Sequence, residues 1–384
     1  MKTYLEINKK IKNGTAVVVT KDEIIDIVKD IGEEKALETV DVVTCATFGP
    51  MCSSGAFINF GHSNPPIRMQ SIKLNNVDCS GGLAAVDTYL GATQESNDKG
   101  YSYGGAHVIC DLIKGSKIHL SAKSRGSDCY PKKEIETFID KNSINEAYLF
   151  NPRNCYQNYS VAVNCSDKTV YTYMGKLLPN MENGTYSNAG YLSPLLNDPN
   201  CKHIGIGTKI FLCGAEGYIS WYGTQFNSQK DVNLKGIPLS PSRTLAVIGN
   251  IKEMDSKYIK PISIENYGVS ICIGIGIPIP ITDMETLRNV CISDKDIETQ
   301  IVDYSSPNLD KPIIAKVNYE QLNTGLININ GKQIKVKPIS SISKAKQIAS
   351  ELKEWIIAGK FTLNESITKF PDKSTINILG KENE

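Results

Sequence analysis

Residues 20–44 read TKDEIIDIVKDIGEEKALETVDVVT. Thr20 and Glu23 stand three apart at the head of this run, the spacing at which each side chain satisfies the other's free backbone N–H in a capping box. Ile24, Ile25, Ile27, Val28 and Ile31 then recur at helical intervals, and Gly32 supplies the stop. A second helical run, Glu33 to Thr39, leads into Val40-Asp41-Val42-Val43-Thr44, whose β-branched residues predict a strand. This alternation of helix and strand points to a mixed α/β fold, with α+β as the other layered solution.

Outward from that stretch, residues 44–126 are rich in glycine and hold three of the four histidines. Long loops of this composition are typically functional rather than merely connecting. Ser143-Ile144-Asn145-Glu146 repeats the capping-box spacing and predicts a short helix that stops at Asn151-Pro152. Residues 159–163, 169–173, 209–213 and 217–222 alternate like strands. Near the C-terminus, Asn330-Gly331 sits between Leu326–Ile329 and residues 333–336, a hairpin signal because both turn positions need positive φ. A helix follows, with Ala345, Ile348, Leu352, Trp355 and Ile356 on one face and Gly359 at its end; the last dozen residues are polar and expected to fray. The expected organisation is a large catalytic body with long Gly-rich loops over residues 1–330, with a candidate seam near 251–268. Residues 331–384 form an appendage of hairpin strand, helix and tail.

Forty-two Lys plus Arg against 41 Asp plus Glu leave a net charge of +1, which supplies no broad field for nucleic acid or anionic lipid. The first residues are charged, and the longest uncharged apolar stretch, residues 269–281, is short for a bilayer and contains Pro278 and Pro280. The expectation is a cytoplasmic protein with no membrane or nucleic-acid partner. Eleven cysteines, an odd number with no CxxC pair among them, fit free thiols in a reducing compartment and exclude zinc-ribbon and ferredoxin spacings. Arginine is scarce, at five residues, so each is a candidate for a place that needs a planar fork.

Two cysteines stand apart by their surroundings. Cys52, in Gly49-Pro50-Met51-Cys52-Ser53-Ser54-Gly55, follows a predicted strand and sits among small hydroxyl residues, where free backbone N–H groups can stabilise a thiolate or an incoming anion. Its plain alternative is a small buried residue in a tight turn. Cys129, in Arg125-Gly126-Ser127-Asp128-Cys129-Tyr130-Pro131-Lys132-Lys133, has cations close in sequence that lower a thiol pKa when they face it, and Asp128 is a neighbouring proton acceptor. Its alternative is a solvated charged loop. His62 and His107 lie in Gly-rich segments as candidate acid–base groups, whereas His119 alternates within a strand and reads as structural. No His or Cys pair has metal-ligand spacing, and neither Gly205-Ile206-Gly207 nor Gly274-Ile275-Gly276 completes a dinucleotide fingerprint.

Residues 42–56, VVTCATFGPMCSSGA, resemble the signature of the L-aspartate semialdehyde sulfurtransferases, the sulfide-incorporating homocysteine biosynthesis proteins of methanogens and other anaerobes. The resemblance continues through residues 59–66, 82–94, 103–109, 128–131, 151–154, 171–180 and 192–199. It implies an enzyme that joins inorganic sulfur to the aldehyde of L-aspartate semialdehyde, with two-electron reduction, to give L-homocysteine. The family's two important cysteines fall on Cys52 and Cys129. The chain itself is expected to hold no cofactor or metal, with electrons brought by a separate ferredoxin-like Fe–S protein and a homo-oligomer as a candidate assembly. Under this reading Cys52 carries sulfur as a persulfide and Cys129 resolves it, with the reverse assignment open. Arg153 and Arg125 clamp the substrate carboxylate beside Ser53 and Ser54, and His62 or His107 moves the proton. Two other classes stay open: a cysteine enzyme acting on another aldehyde, and a non-catalytic sulfur-relay or Fe–S protein in which Cys45, Cys52, Cys79, Cys110 and Cys129 converge.

Overall fold

The computed structural model describes residues 2–187, 189–308, 310–374 and 376. The chain is mixed α/β. Its largest sheet has ten strands. Nine follow in the order Val18–Thr20, Val42–Pro50, Gly268–Pro280, Lys209–Leu212, Ala215–Tyr222, Leu245–Asn250, Glu146–Asn154, Gly55–Asn59 and Asp87–Gly91, and Ile259–Ile264 pairs off this path with Gly268–Pro280.

The third strand of that path, Gly268–Pro280, reads VSICIGIGIPIP after its first glycine and is buried along its whole length. Its period-2 alternation puts Val269 and five isoleucines on one face and small residues on the other. The small face lets the Ile342–Ile357 helix approach: a Cβ on Gly274 would lie 2.8 Å from Ile348 Cδ1, and one on Gly276 3.2 Å from Leu352 Cδ2. Pro278 and Pro280 fall beyond Gly276, the last residue paired with the Lys209–Leu212 strand, so their missing N–H groups break no ladder bond on that side. On its other side the strand runs antiparallel to Val42–Pro50 through nine residue pairs, from Val42 with Pro280 to Pro50 with Cys272.

The connection after Pro50 shapes the molecule. Residues 51–54 alone join the second strand of the nine to the eighth. Laid flat, those strands would lie about 29 Å apart at ~4.8 Å a strand, while five residue steps reach at most about 18 Å. The sheet must therefore curl until its two sides approach, and Cys52 sits in the link that spans the gap.

A six-stranded sheet containing Ile118–Lys123 and Glu134–Ile139 packs beside this body, and a second holds Glu298–Asp303, Val161–Val163, Asn183–Tyr186 and Lys332–Pro338. The C-terminal hairpin turns as its sequence requires, with φ of 51° at Asn330 and 85° at Gly331. Its strand completes the second small sheet, and the helix after it contributes Ile348, Leu352 and Ile356 to the main core. The Thr20–Glu23 capping box opens the Lys21–Ile31 helix, and Glu33–Thr39 is the helix that follows.

The helix expected from Ser143 is instead a turn and a strand. Ser143 Oγ donates to the Asp140 carbonyl, and Glu146–Asn154 enters the main sheet. Ala147 and Leu149 are buried while Glu146 and Tyr148 are exposed, a period-2 burial that outweighs the capping pattern. Among the described residues no helix is long and apolar enough to cross a membrane.

Candidate active site

Cys52 opens onto a cavity of about 770 Å³ bordered by Pro50–Ser53 turn residues, Thr93, Glu95, Arg153, a group of tyrosines and Lys311. The turn is built locally: Met51 N–H donates to the Ile271 carbonyl at 2.7 Å, and Ser54 Oγ donates back to the Met51 carbonyl at 2.8 Å. This leaves Cys52 half-buried, with its thiol donating to Ser270 Oγ at 3.3 Å. Ser270 lies on the small face of the Gly268–Pro280 strand, so the same alternation that admits the helix aims a hydroxyl at the thiol. Ser53 lines the cavity, whereas Ser54 is buried with its hydroxyl already engaged.

Arg153 reaches the cavity from the end of the Glu146–Asn154 strand, where the pairing with Leu245–Asn250 shifts register between Asn151 and Asn154. Such a bulge re-aims side chains. Asn151 ties this bend to the cysteine turn, because its Oδ1 accepts from Arg153 N–H at 2.9 Å and its Nδ2 donates to Ser54 Oγ at 2.6 Å. The guanidinium is held by Thr224 Oγ1 at 3.1 Å and Gln225 Oε1 at 3.0 Å, and Tyr156 donates to the same Gln225 oxygen at 3.0 Å. Among the described residues no carboxylate pairs with Arg153 or with Lys311. Two uncompensated cations and one acid, Glu95, therefore share a cavity with a thiol. That composition suits a small substrate carrying both charges and an electrophilic carbon.

Desolvation pushes the thiols of Cys45, Cys79, Cys213 and Cys272 up to about 12 and also raises those of Cys110, Cys155, Cys165, Cys201 and Cys291, which leaves these nine unsuited to nucleophilic work near neutral pH. Among the described residues no three His, Cys, Asp or Glu side chains gather in a way that could hold a metal ion.

The sequence that builds this cavity matches a known group of proteins. The model of the family described as homocysteine biosynthesis enzyme, sulfur-incorporation, covers residues 16–363. The chain belongs to this family. It is 48% identical over 368 residues to the L-aspartate semialdehyde sulfurtransferase of Methanosarcina acetivorans, covering 96% of this chain and 72% of that protein. It is also 48% identical over 400 residues to the L-aspartate semialdehyde sulfurtransferase of Methanocaldococcus jannaschii, covering 99% and 76%. An uncharacterized protein of Methanothermobacter thermautotrophicus is 27% identical over 330 residues, 83% of this chain and 71% of that one. No solved structure matches. The chain is thus a sulfur-transferring enzyme of homocysteine biosynthesis.

Cys129, the second cysteine that the sequence singles out, lies elsewhere. Cys129 is exposed in the connection between the Ile118–Lys123 and Glu134–Ile139 strands, in a turn closed by Ser127 and Tyr130, whose backbones bond both ways at 3.0 and 3.1 Å. Asp128 and Arg125 share that connection, and the Arg125 N–H donates to Gln70 Oε1 at 2.9 Å. His62 stacks on Tyr130 at 6.2 Å between ring centroids. His62 lies past the far end of the strand that begins at Gly55, just after the cysteine turn. Cys129, Asp128, Arg125 and His62 thus form one surface group, and none of them lines the Cys52 cavity. His107 is placed apart from both: its Nδ1 accepts from the Gly104 N–H at 3.1 Å as the cap of the Gly105–Lys114 helix, and its ring stacks on Tyr103. Desolvation is the main cause that holds the His107 imidazole below its usual pKa.

The cavity also contains groups that no local motif announces. Tyr159, Tyr173 and Lys311 come from segments far apart in sequence, and Tyr304 stands behind them. Tyr173 falls in the 171–180 segment that carries the family resemblance, while Tyr159, Tyr304 and Lys311 have no signature beyond an abundance of tyrosine, 18 in all.

Proposed function

We propose that this enzyme is an L-aspartate semialdehyde sulfurtransferase that forms L-homocysteine in the Cys52 cavity, by way of a Cys52 persulfide. The observation that carries the reading is a half-buried thiol in one cavity with unpaired Arg153 and with Glu95. L-Aspartate semialdehyde offers a carboxylate for the guanidinium, an ammonium for Glu95 and an aldehyde for sulfur.

The overall change replaces the aldehyde oxygen: aldehyde, hydrogen sulfide, two electrons and two protons give the thiol and water. The Cys52 thiol and hydrogen sulfide form the persulfide S–S bond, passing two electrons to the oxidised form of a ferredoxin-like Fe–S partner and two protons to water. The terminal sulfur adds to the aldehyde carbon while the carbonyl π electrons pass to oxygen, which takes a proton. Two electrons and a proton then cleave the S–S bond and return the Cys52 thiolate. The released thiohemiacetal loses water, and two further electrons and two protons reduce the thioaldehyde to the thiol. The net two electrons come from a separate ferredoxin-like Fe–S protein. Cys129 relays the S–S cleavage as the resolving thiol: its thiolate attacks the Cys52 sulfur, the thiohemiacetal leaves as a thiolate that takes the proton, and the two electrons reduce the resulting Cys52–Cys129 disulfide, a role that requires its hairpin to move or a second subunit to present it.

The test is anaerobic turnover with sulfide, L-aspartate semialdehyde and a low-potential reductant, with homocysteine measured as product. Cys52→Ala folds and makes none. Turnover within about tenfold of wild type in that variant removes Cys52 from the mechanism, and preference for a different aldehyde reassigns the substrate.

A further inference from the structure

Three phenols and an ammonium meet at the wall of the Cys52 cavity, Tyr159, Tyr173 and Lys311 lining it and Tyr304 standing behind. Tyr173 Oη lies 2.9 Å from Tyr159 Oη, 2.8 Å from Tyr304 Oη and 3.2 Å from Lys311 Nζ. The three partners arrive from three places: Tyr159 precedes the Val161–Val163 strand, Tyr304 follows Glu298–Asp303, and Lys311 comes from the loop before Ile313–Asn318. Tyr173 itself occupies the turn between Val170–Thr172 and Gly175–Leu177. Lys311 takes a left-handed φ of 48°, which a lysine rarely adopts, and its ammonium lies 4.4 Å from the Tyr304 ring centroid and 5.4 Å from that of Tyr173. A folded chain holds a side chain in such a backbone conformation only where its surroundings over-determine it.

The central oxygen differs from its neighbours. When Tyr173 is a phenolate, all three partners can donate to it at once; no other phenol of the group is so placed. The Tyr267 ring stands 6.2 Å from the Tyr173 ring and also neighbours Cys52, so the phenol and the thiol belong to one continuous surface. Tyr156, Arg153, Glu95 and Cys52 are the other titratable and charged groups that line this cavity among the described residues.

We propose that Tyr173 is a catalytic acid of this enzyme, giving its proton to the aldehyde oxygen as sulfur adds to the carbon, and that Lys311 with Tyr159 and Tyr304 holds the resulting phenolate. In that step the C–S bond forms, the carbonyl π pair becomes the oxygen's lone pair, and that oxygen gains the proton that Tyr173 loses; water reprotonates Tyr173 before the next turnover. The electrostatics agree. Desolvation raises the Tyr173 pKa, but the hydrogen bonds from Tyr159 and Tyr304 and the charge of Lys311 outweigh it and bring the phenol below its usual value. Tyr159 and Tyr304, desolvated and next to Tyr173, are both held well above theirs. Groups with pKa values driven apart in this way are the pattern of an acid–base site.

The assignment rests on the Cys52 reading, and the experiment separates the two. Tyr173→Phe is expected to lower homocysteine formation by about 100-fold or more, while Cys52 still gains one sulfur atom on treatment with polysulfide, read by peptide mass. Lys311→Met is expected to move the alkaline limb of the kcat profile to higher pH, a shift a purely structural lysine does not produce. A spectrophotometric titration at the phenolate band gives a readout free of turnover: one phenol ionising below the ordinary tyrosine range in wild type and absent in Tyr173→Phe. Near-wild-type turnover in Tyr173→Phe, or superposable titrations, overturns the proposal. A wild-type protein that shows the early phenol and loads Cys52 but yields no homocysteine counts against the substrate reading instead.

Discussion

Replacing Arg153 by methionine removes the best-placed cation in the cavity while keeping its apolar length. The guanidinium is held by Thr224 and Gln225 with no carboxylate of its own among the described residues, so its charge is available to a ligand. A charge-assisted hydrogen bond contributes about 1.5–3 kcal/mol, equivalent to about a 10- to 150-fold loss in kcat/KM. The loss should fall mainly on KM for the semialdehyde, because a carboxylate remote from the aldehyde is bound alike in ground and transition states. Steady-state homocysteine formation at saturating sulfide measures it. A second substrate closes the cycle: an aldehyde of similar length lacking the carboxylate should react equally slowly with wild type and Arg153→Met. A KM for the semialdehyde within twofold of wild type, or an equal penalty for both aldehydes, would refute the assignment of Arg153 as the carboxylate clamp.

Cys52→Ala and Cys129→Ala should each be folded and inactive, and mixing them in one refolded or co-expressed oligomer should restore about a quarter of wild-type activity if paired subunits exchange the second thiol; no recovery in a mixed oligomer excludes that exchange. Gly274→Ala should lower stability by about 1–3 kcal/mol in chemical denaturation, since its Cβ would lie 2.8 Å from Ile348 Cδ1 and 2.9 Å from the Tyr258 carbonyl; an unchanged midpoint contradicts that packing. Lys21 is fully buried, donating to the Val290 and Ile292 carbonyls, and desolvation brings its pKa down to about 8. A base with a depressed folded pKa binds fewer protons folded than unfolded, so stability rises with pH between the folded and unfolded values. Relative to Lys21→Met, wild type should gain about 2 kcal/mol between pH 7.5 and 10, and a pH-independent difference would show that the ammonium is not destabilised by burial.

What the sequence made legible were features written in neighbouring residues. Thr20 with Glu23, and Asn330 with Gly331, act over three or fewer residues, and both form as read. Cys52 was legible for the same reason: the turn that presents it is one short run between two strands. The Ser143–Glu146 spacing misled because the pattern is equally met by a turn whose serine bonds back to Asp140, and burial of Ala147 and Leu149 in a distant sheet decided the matter. The tyrosine–lysine group was beyond such reading, since Tyr159, Tyr173, Tyr304 and Lys311 share no spacing; the pairing of the Val161–Val163 and Glu298–Asp303 strands brings Tyr159 and Tyr304 together, and a separate hairpin and loop add Tyr173 and Lys311. The separate surface of Cys129 is likewise a property of the fold: Cys52 precedes a strand whose far end leads to the His62–Tyr130 stack.

The alternation of isoleucine and small residues from Gly268 to Pro280 has a final implication. Sliding that strand by a single position would thrust isoleucines into the helix and turn Ser270 away from the thiol in the same motion. The direction of the Cys52 thiol is therefore tied to the register of a strand that close packing against the helix holds in place, and damage that leaves that register intact leaves the sulfur facing its hydroxyl neighbour.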